Sequence, residues 1–126
     1  MKTKDWLYWA LVGIGAITVL SGSLQMVAPG LVLTLIGGDM TPTSLHFFGI
    51  IGMFMVLFGG AMLQALLSPL HHPVVLFWAS LQKFGASVAV GLGVLHLLFS
   101  PLALMVAGFD LLSGILGIWY WSRVRH

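Results

Sequence analysis

Four residues combine a reactive side chain with an apolar setting: Lys83, Asp110, His46 and His96. Asp110 lies about nine residues from either end of a long apolar stretch, which places it near the centre of a membrane span. A carboxylate at that depth points to a proton relay, an ion site or a substrate contact. The structural alternative is a protonated or hydrogen-bonded Asp that fastens helices together, with Thr18 and Ser87 at matching depth as donors. Lys83 is the other charge inside an apolar run. At 1.5 Å per residue it lies about 22 Å from the outer surface and Asp110 about 14 Å. Side chains lean toward their own helix N-terminus, which sends these two apart. Lys83 also follows Trp78 closely, within snorkelling reach of headgroups. The sequence therefore predicts a snorkelling lysine rather than a buried ion pair.

His46 and His96 fall near the outer ends of two different spans, on the same side as Gln25 and Asp39. Two imidazoles at one depth are a weak pattern for a metal, a haem or a chlorophyll. No HxxxH or ExxH spacing supports it, and no metal site or other cofactor is expected beyond lipid. His71 and His72 sit together in a short link and read as solvated. The chain has no Cys, which removes disulfides, thiol catalysis and cysteine-ligated clusters. There is no Ser-His-Asp arrangement, phosphate loop or nucleic-acid motif, so no catalytic residue is assigned and an enzyme is not the favoured reading.

These groups must be positioned by a membrane scaffold. The chain is 60% hydrophobic and 6% charged, with mean hydropathy +1.09. Soluble domains carry about 25% charged residues. The charges crowd outside the apolar runs: Lys2, Lys4 and Asp5 at the start, Arg123 and Arg125 at the end, Asp39 in a link. The basic ends suit anionic headgroups, and with no basic stripe no nucleic-acid partner is expected. All five prolines, Pro29, Pro42, Pro69, Pro73 and Pro101, separate apolar stretches. Proline lacks an amide donor and clashes with the preceding turn, so it ends helices. The pattern predicts an all-α single domain, a four-transmembrane-helix antiparallel bundle with spans at roughly 6–27, 45–68, 74–98 and 102–121. The link over 28–44 contains an apolar run too short to span and is expected to form a short interfacial helix or turn. The basic, apolar opening has the look of a signal peptide, but its apolar run continues to Val27 and reads as an uncleaved first span.

Four crossings put both termini on one side, and both termini are basic, so the positive-inside rule makes that side cytoplasmic. The expected location is a bacterial inner membrane. Every Trp and Tyr (Trp6, Tyr8, Trp9, Trp78, Trp119, Tyr120 and Trp121) then falls at the cytoplasmic interface, leaving Phe47, Phe48 and Phe99 at the other. An outer rim without a belt is expected to be covered by the 28–44 link or by another subunit.

Helices approach closely in lipid where side chains are small. Gly15, Thr18, Gly22 and Gln25 share one stripe of the first span, and Gly49, Gly52, Gly59 and Gly60 line the second. Gly85, Ala89 and Gly93 form a ladder in the third. Such stripes are expected to pack within the four-helix bundle, and if the chain is an accessory subunit this ladder is the first choice to meet a helix of another chain. Ala107, Asp110, Gly114 and Gly117 share a stripe in the fourth.

The stretch Leu20–Gly30 (LSGSLQMVAPG), an apolar link, and the glycine-bearing Gly49–Gly60 (GIIGMFMVLFGG) resemble the DoxX-like group of small four-helix membrane proteins. In that group the first helix ends in Gly, a basic residue and Pro at similar spacing, and the second often carries a carboxylate. Here Gln25 stands at the basic position and the second span has no carboxylate. The resemblance therefore implies the four-helix fold rather than a redox or quinone activity.

Three functions compete. The first is a non-catalytic accessory subunit that assembles with other membrane subunits or with itself. The second is an oligomeric transporter or proton- or ion-coupled carrier built around Asp110. The third is a lipid- or quinone-linked redox protein using His46 and His96. The lack of a catalytic constellation and the small-residue faces favour the first.

Overall fold

The computed structural model describes residues 5–69 and 72–125. Among these residues the chain is all-helical: α1 (Trp6–Val27), α2 (Pro29–Leu35), α3 (Pro42–Leu67), α4 (Pro73–Leu95) and α5 (Ala103–Val124). All but α2 are long and apolar enough to cross a membrane. Lys2, Lys4 and His71 lie outside the described residues.

Helix ends follow local chemistry. The Asp5 carboxylate accepts the Tyr8 amide at 3.2 Å and caps α1. α3 starts three residues before the expected boundary. Thr41 and Ser44 exchange side-chain and backbone hydrogen bonds in a capping box, and Pro42 takes the first turn, where its missing N–H costs nothing. Pro73 opens α4 in the same way. The 28–44 link forms the short helix α2 and a turn, as the apolar run between Pro29 and Gly37 predicts.

α1 lies along α3, and α4 along α5. The two pairs meet where α3 faces α4 and α1 faces α5. α1 and α3 hold a single antiparallel register: Tyr8 donates to the Leu66 carbonyl at 2.9 Å, Gly15 lies against Gly59, Gly22 against Gly52, and Gln25 donates to the Phe48 carbonyl at 2.9 Å. Gly22 and Gly52 meet backbone to backbone. A Cβ on Gly22 would lie 2.6 Å from the Gly52 oxygen, and a Cβ on Gly52 2.7 Å from the Gly22 oxygen. Of the second-span glycines, Gly60 faces open space and Gly49 makes only ordinary contact. In the α4–α5 pair the glycines meet side chains rather than backbone, with Gly114 under the Phe84 ring and Gly117 under Ser80.

At the end carrying the termini, all four long helices share one core, including Leu7, Leu11, Met62, Leu66, Leu76 and Tyr120. Tyr8 and Tyr120 are buried in it, so the exposed aromatics of that end are Trp6, Trp9, Trp78 and Trp119. Large apolar side chains such as Ile17, Leu57, Val88 and Leu112 cover the outside of the bundle. That is the surface lipid requires and water does not favour.

The opposite end is closed by turns. The Ser100 amide donates to the Ile36 carbonyl at 2.7 Å, and the Phe99 ring lies over Gly93 and beside Gly38. Two helices end there in the same six-residue cap. After α2, Gly38 N–H bonds to Leu33 and Gly37 N–H to Thr34, with Gly37 at φ +74°. After α4, Leu98 N–H bonds to Gly93 and Leu97 N–H to Val94, with Leu97 at φ +61°. Glycine is the usual occupant of this left-handed position. It is required at Gly37, whose Cβ would meet Ser100 at 2.8 Å. At Leu97 a side chain stands where the left-handed backbone costs roughly 1–2 kcal/mol.

Candidate functional site

The polar residues at depth converge on one point between the helix pairs. Thr18 on α1, Lys83 on α4 and Asp110 on α5 each lie within about one turn of the middle of their helix and are all buried. The Lys83 ammonium lies 2.6 Å from Thr18 Oγ1 and 3.6 Å from Asp110 Oδ1, with the Phe109 ring centroid 5.5 Å away. Thr18 accepts from Lys83 and passes its own hydroxyl proton to the Ile14 carbonyl at 2.8 Å.

Lys83 therefore does not snorkel. It is 5% exposed and turned toward Asp110. Lys83 lies about five residues deeper than Asp110 when both are counted from the helix ends at the α4–α5 turn, an axial offset of about 7.5 Å. The four-methylene stem of lysine bridges that offset. The side chain leans away from its own helix N-terminus because a lone buried carboxylate is costlier than a bent lysine. The two hydroxyls expected to serve Asp110 are engaged elsewhere: Thr18 as above, and Ser87 with the Ala107 carbonyl at 2.9 Å. That second bond ties α4 to α5 one turn further out.

The histidines occupy different surroundings. His46 sits exposed near the start of α3, on an open apolar groove lined also by residues such as Met26, Pro29, Gly49 and Met53, all from α1, α2 and α3. His96 caps the end of α4 and is also exposed. Among the described residues no three His, Cys, Asp or Glu side chains group so as to hold a metal ion. The Gly85/Ala89/Gly93 ladder is also divided. Gly85 and Ala89 are exposed, and Gly85 has nothing within 4 Å of its Cβ position. Gly93 is buried under Phe99, 2.5 Å from where its Cβ would stand. The ladder is one face of α4 by spacing, but the following turn folds back over its outer end.

One ion pair escaped sequence reasoning. Arg123 donates to Asp5 at 2.9 Å, joining the start of α1 to the end of α5. The signal was present: an even number of crossings returns both charges to one side. The Arg123 guanidinium, and after it the Tyr8 amide, hold the Asp5 carboxyl below its ordinary 3.8. A lowered carboxylate pKa adds stability above the unfolded value, and that stability is lost as pH falls through the folded value. Asp5→Asn should thus be less stable than the parent at pH 6, and the gap should close below about pH 4. Thermal unfolding in detergent, followed by circular dichroism across that range, checks this; a gap that stays constant into acid would remove the ionised bridge from the account.

No known family model, curated protein or solved structure matches this chain.

Proposed function

We propose that the chain is a non-catalytic accessory subunit of a larger membrane complex, set in a bacterial inner membrane with both termini cytoplasmic. One observation carries the reading: the two charges at depth and the polar side chains beside them, Gln82 Oε1 apart, are engaged inside the bundle, while small-residue positions remain open outside it. Lys83, Thr18, Gln25 and Ser87 each bridge two helices of this chain. By contrast Gly13, Gly60, Gly85, Gly91 and Gly108 have no atom within 4 Å of a Cβ position. Open glycines on an otherwise bulky apolar exterior are where a neighbouring helix can approach closely. Gly85 and Ala89, one turn apart and both exposed, make the first choice of contact. The basic ends and the tryptophans beside them support the orientation.

The test uses the tagged full chain, extracted from its membranes in mild detergent. The parent is expected in an assembly of fixed size and composition. Gly85→Leu should release it while membrane abundance holds, because a side chain there starts from an exposed position with no neighbouring helix within 4 Å of its Cβ. A parent that runs as a single chain would overturn the proposal.

A second reading is favoured by the ion pair itself. A Lys–Asp pair at mid-depth suits a proton- or ion-coupled carrier. Under that reading Asp110→Asn leaves the fold intact and abolishes proton flux into vesicles holding the purified protein; under the accessory reading parent and variant vesicles show the same flux. The redox reading has less behind it, since His46 opens on a groove formed without α4.

A further inference from the structure

We infer that the α4–α5 turn does not emerge into water but lies in the acyl-chain region of the leaflet opposite the tryptophans, with Leu97 as its inserted tip. Three observations converge. The first is register. Trp78 on α4 and Trp119 on α5 are exposed at the end carrying the termini, where tryptophan marks the membrane interface. About 20 residues of helix cross the hydrocarbon. Counting that length from Trp78 and from Trp119 reaches the turn itself, and any helix tilt sets the turn deeper.

The second is composition. Between Lys83 and Asp110 the chain has no Asp, Glu, Lys or Arg, and His96 is its one histidine. At the turn Leu95, Leu97, Leu98 and Leu102 are 76%, 90%, 61% and 61% exposed. The companion link between α1 and α3 is longer and carries Asp39 and Thr41, with Thr43 and Ser44 following in the first turn of α3, so the polar outer surface is built there.

The third is conformation. Leu97 occupies the left-handed cap position that glycine holds after α2, at φ +61°, and makes its side chain the most exposed of the large apolar ones. In water this choice loses twice, once in backbone strain and once in apolar exposure. In lipid the exposed Leu97 side chain is solvated, and the costs that remain are the backbone strain and the exposed His96 imidazole at the end of α4. The same placement accounts for the missing aromatic belt on this side, where leucines meet the lipid in place of tryptophan.

The chain has no cysteine, so a single introduced thiol is a unique label site. Leu97→Cys, and independently Leu98→Cys, would carry a nitroxide in the full chain reconstituted alone into phosphatidylcholine–phosphatidylglycerol vesicles. Val88→Cys on the exposed middle of α4 and Asp39→Cys in the polar link are the lipid and water references. The expected result is that oxygen collisions exceed those of a water-soluble nickel chelate at 97 and 98, as at 88, with the order reversed at 39. Nickel access at 97 and 98 equal to that at 39 would put the turn in water and overturn the inference. Low access to both agents would mean a second copy covers the turn, and would overturn it equally. If Leu97→Cys fails to fold, Leu98→Cys decides on the same criteria.

Discussion

Asp110→Leu is expected to be the most damaging single substitution in the chain. It removes the carboxylate and leaves the Lys83 ammonium buried with only Thr18 and the Phe109 ring. Removing one partner of a buried pair costs about 3–5 kcal/mol, because the remaining charge is uncompensated. Lys83→Met should be nearly as harmful for the mirror reason. The double variant Lys83→Met/Asp110→Leu is expected to recover most of the loss, since replacing a whole buried pair by apolar side chains is often neutral. Unfolding in mixed micelles, run as a double-mutant cycle, should therefore give a large coupling between the two sites. Additive losses would mean that the two charges do not compensate each other.

Gly22→Val and Gly52→Val should be the next most harmful. Each would drive a branched side chain into the backbone of the facing helix, where even a Cβ lies 2.6–2.7 Å from a carbonyl oxygen. Overpacking of this kind costs about 1–3 kcal/mol when neighbours can shift. Here the obstructing atoms are backbone, so the upper part of that range is expected. The control lies in the same two helices. Gly13→Ala and Gly60→Ala meet nothing within 4 Å and should be neutral or stabilising, because alanine favours helix over glycine by roughly 0.5–1 kcal/mol. The same unfolding assay separates the two classes; equal effects at all four positions would mean that α1 and α3 do not meet at Gly22 and Gly52.

The four spans were legible because hydrocarbon imposes length and proline imposes ends. Pro29, Pro42, Pro69, Pro73 and Pro101 bracket the long helices to within a few residues. The Gly15/Thr18/Gly22/Gln25 stripe was legible too, since small and polar residues at helical spacing have no reason to face lipid, and all four are buried. What escaped was direction. Whether Lys83 bends toward headgroups or toward Asp110 depends on the rotation of α4 and on Thr18 from a third helix, and depth along one helix carries neither. Gly22 and Gly60 are the same residue in equally apolar runs, yet one touches backbone and the other faces open space. Only the crossing of α1 with α3 separates them. The cover over Gly93 comes from Phe99, through a turn whose left-handed residue is a leucine and so gives no signal in residue type.

The central claim is that the buried charges compensate each other inside the bundle and that, under the proposed function, the work is done by its outside. The most direct test is to supply the Lys83→Met/Asp110→Leu chain in place of the parent and measure the size and composition of the assembly extracted from the membrane. The account predicts an assembly indistinguishable from that of the parent, formed by a chain with no charge left at depth. A double variant that folds and inserts at parental levels, yet is absent from the assembly or abolishes a proton or ion flux carried by the parent, would contradict it.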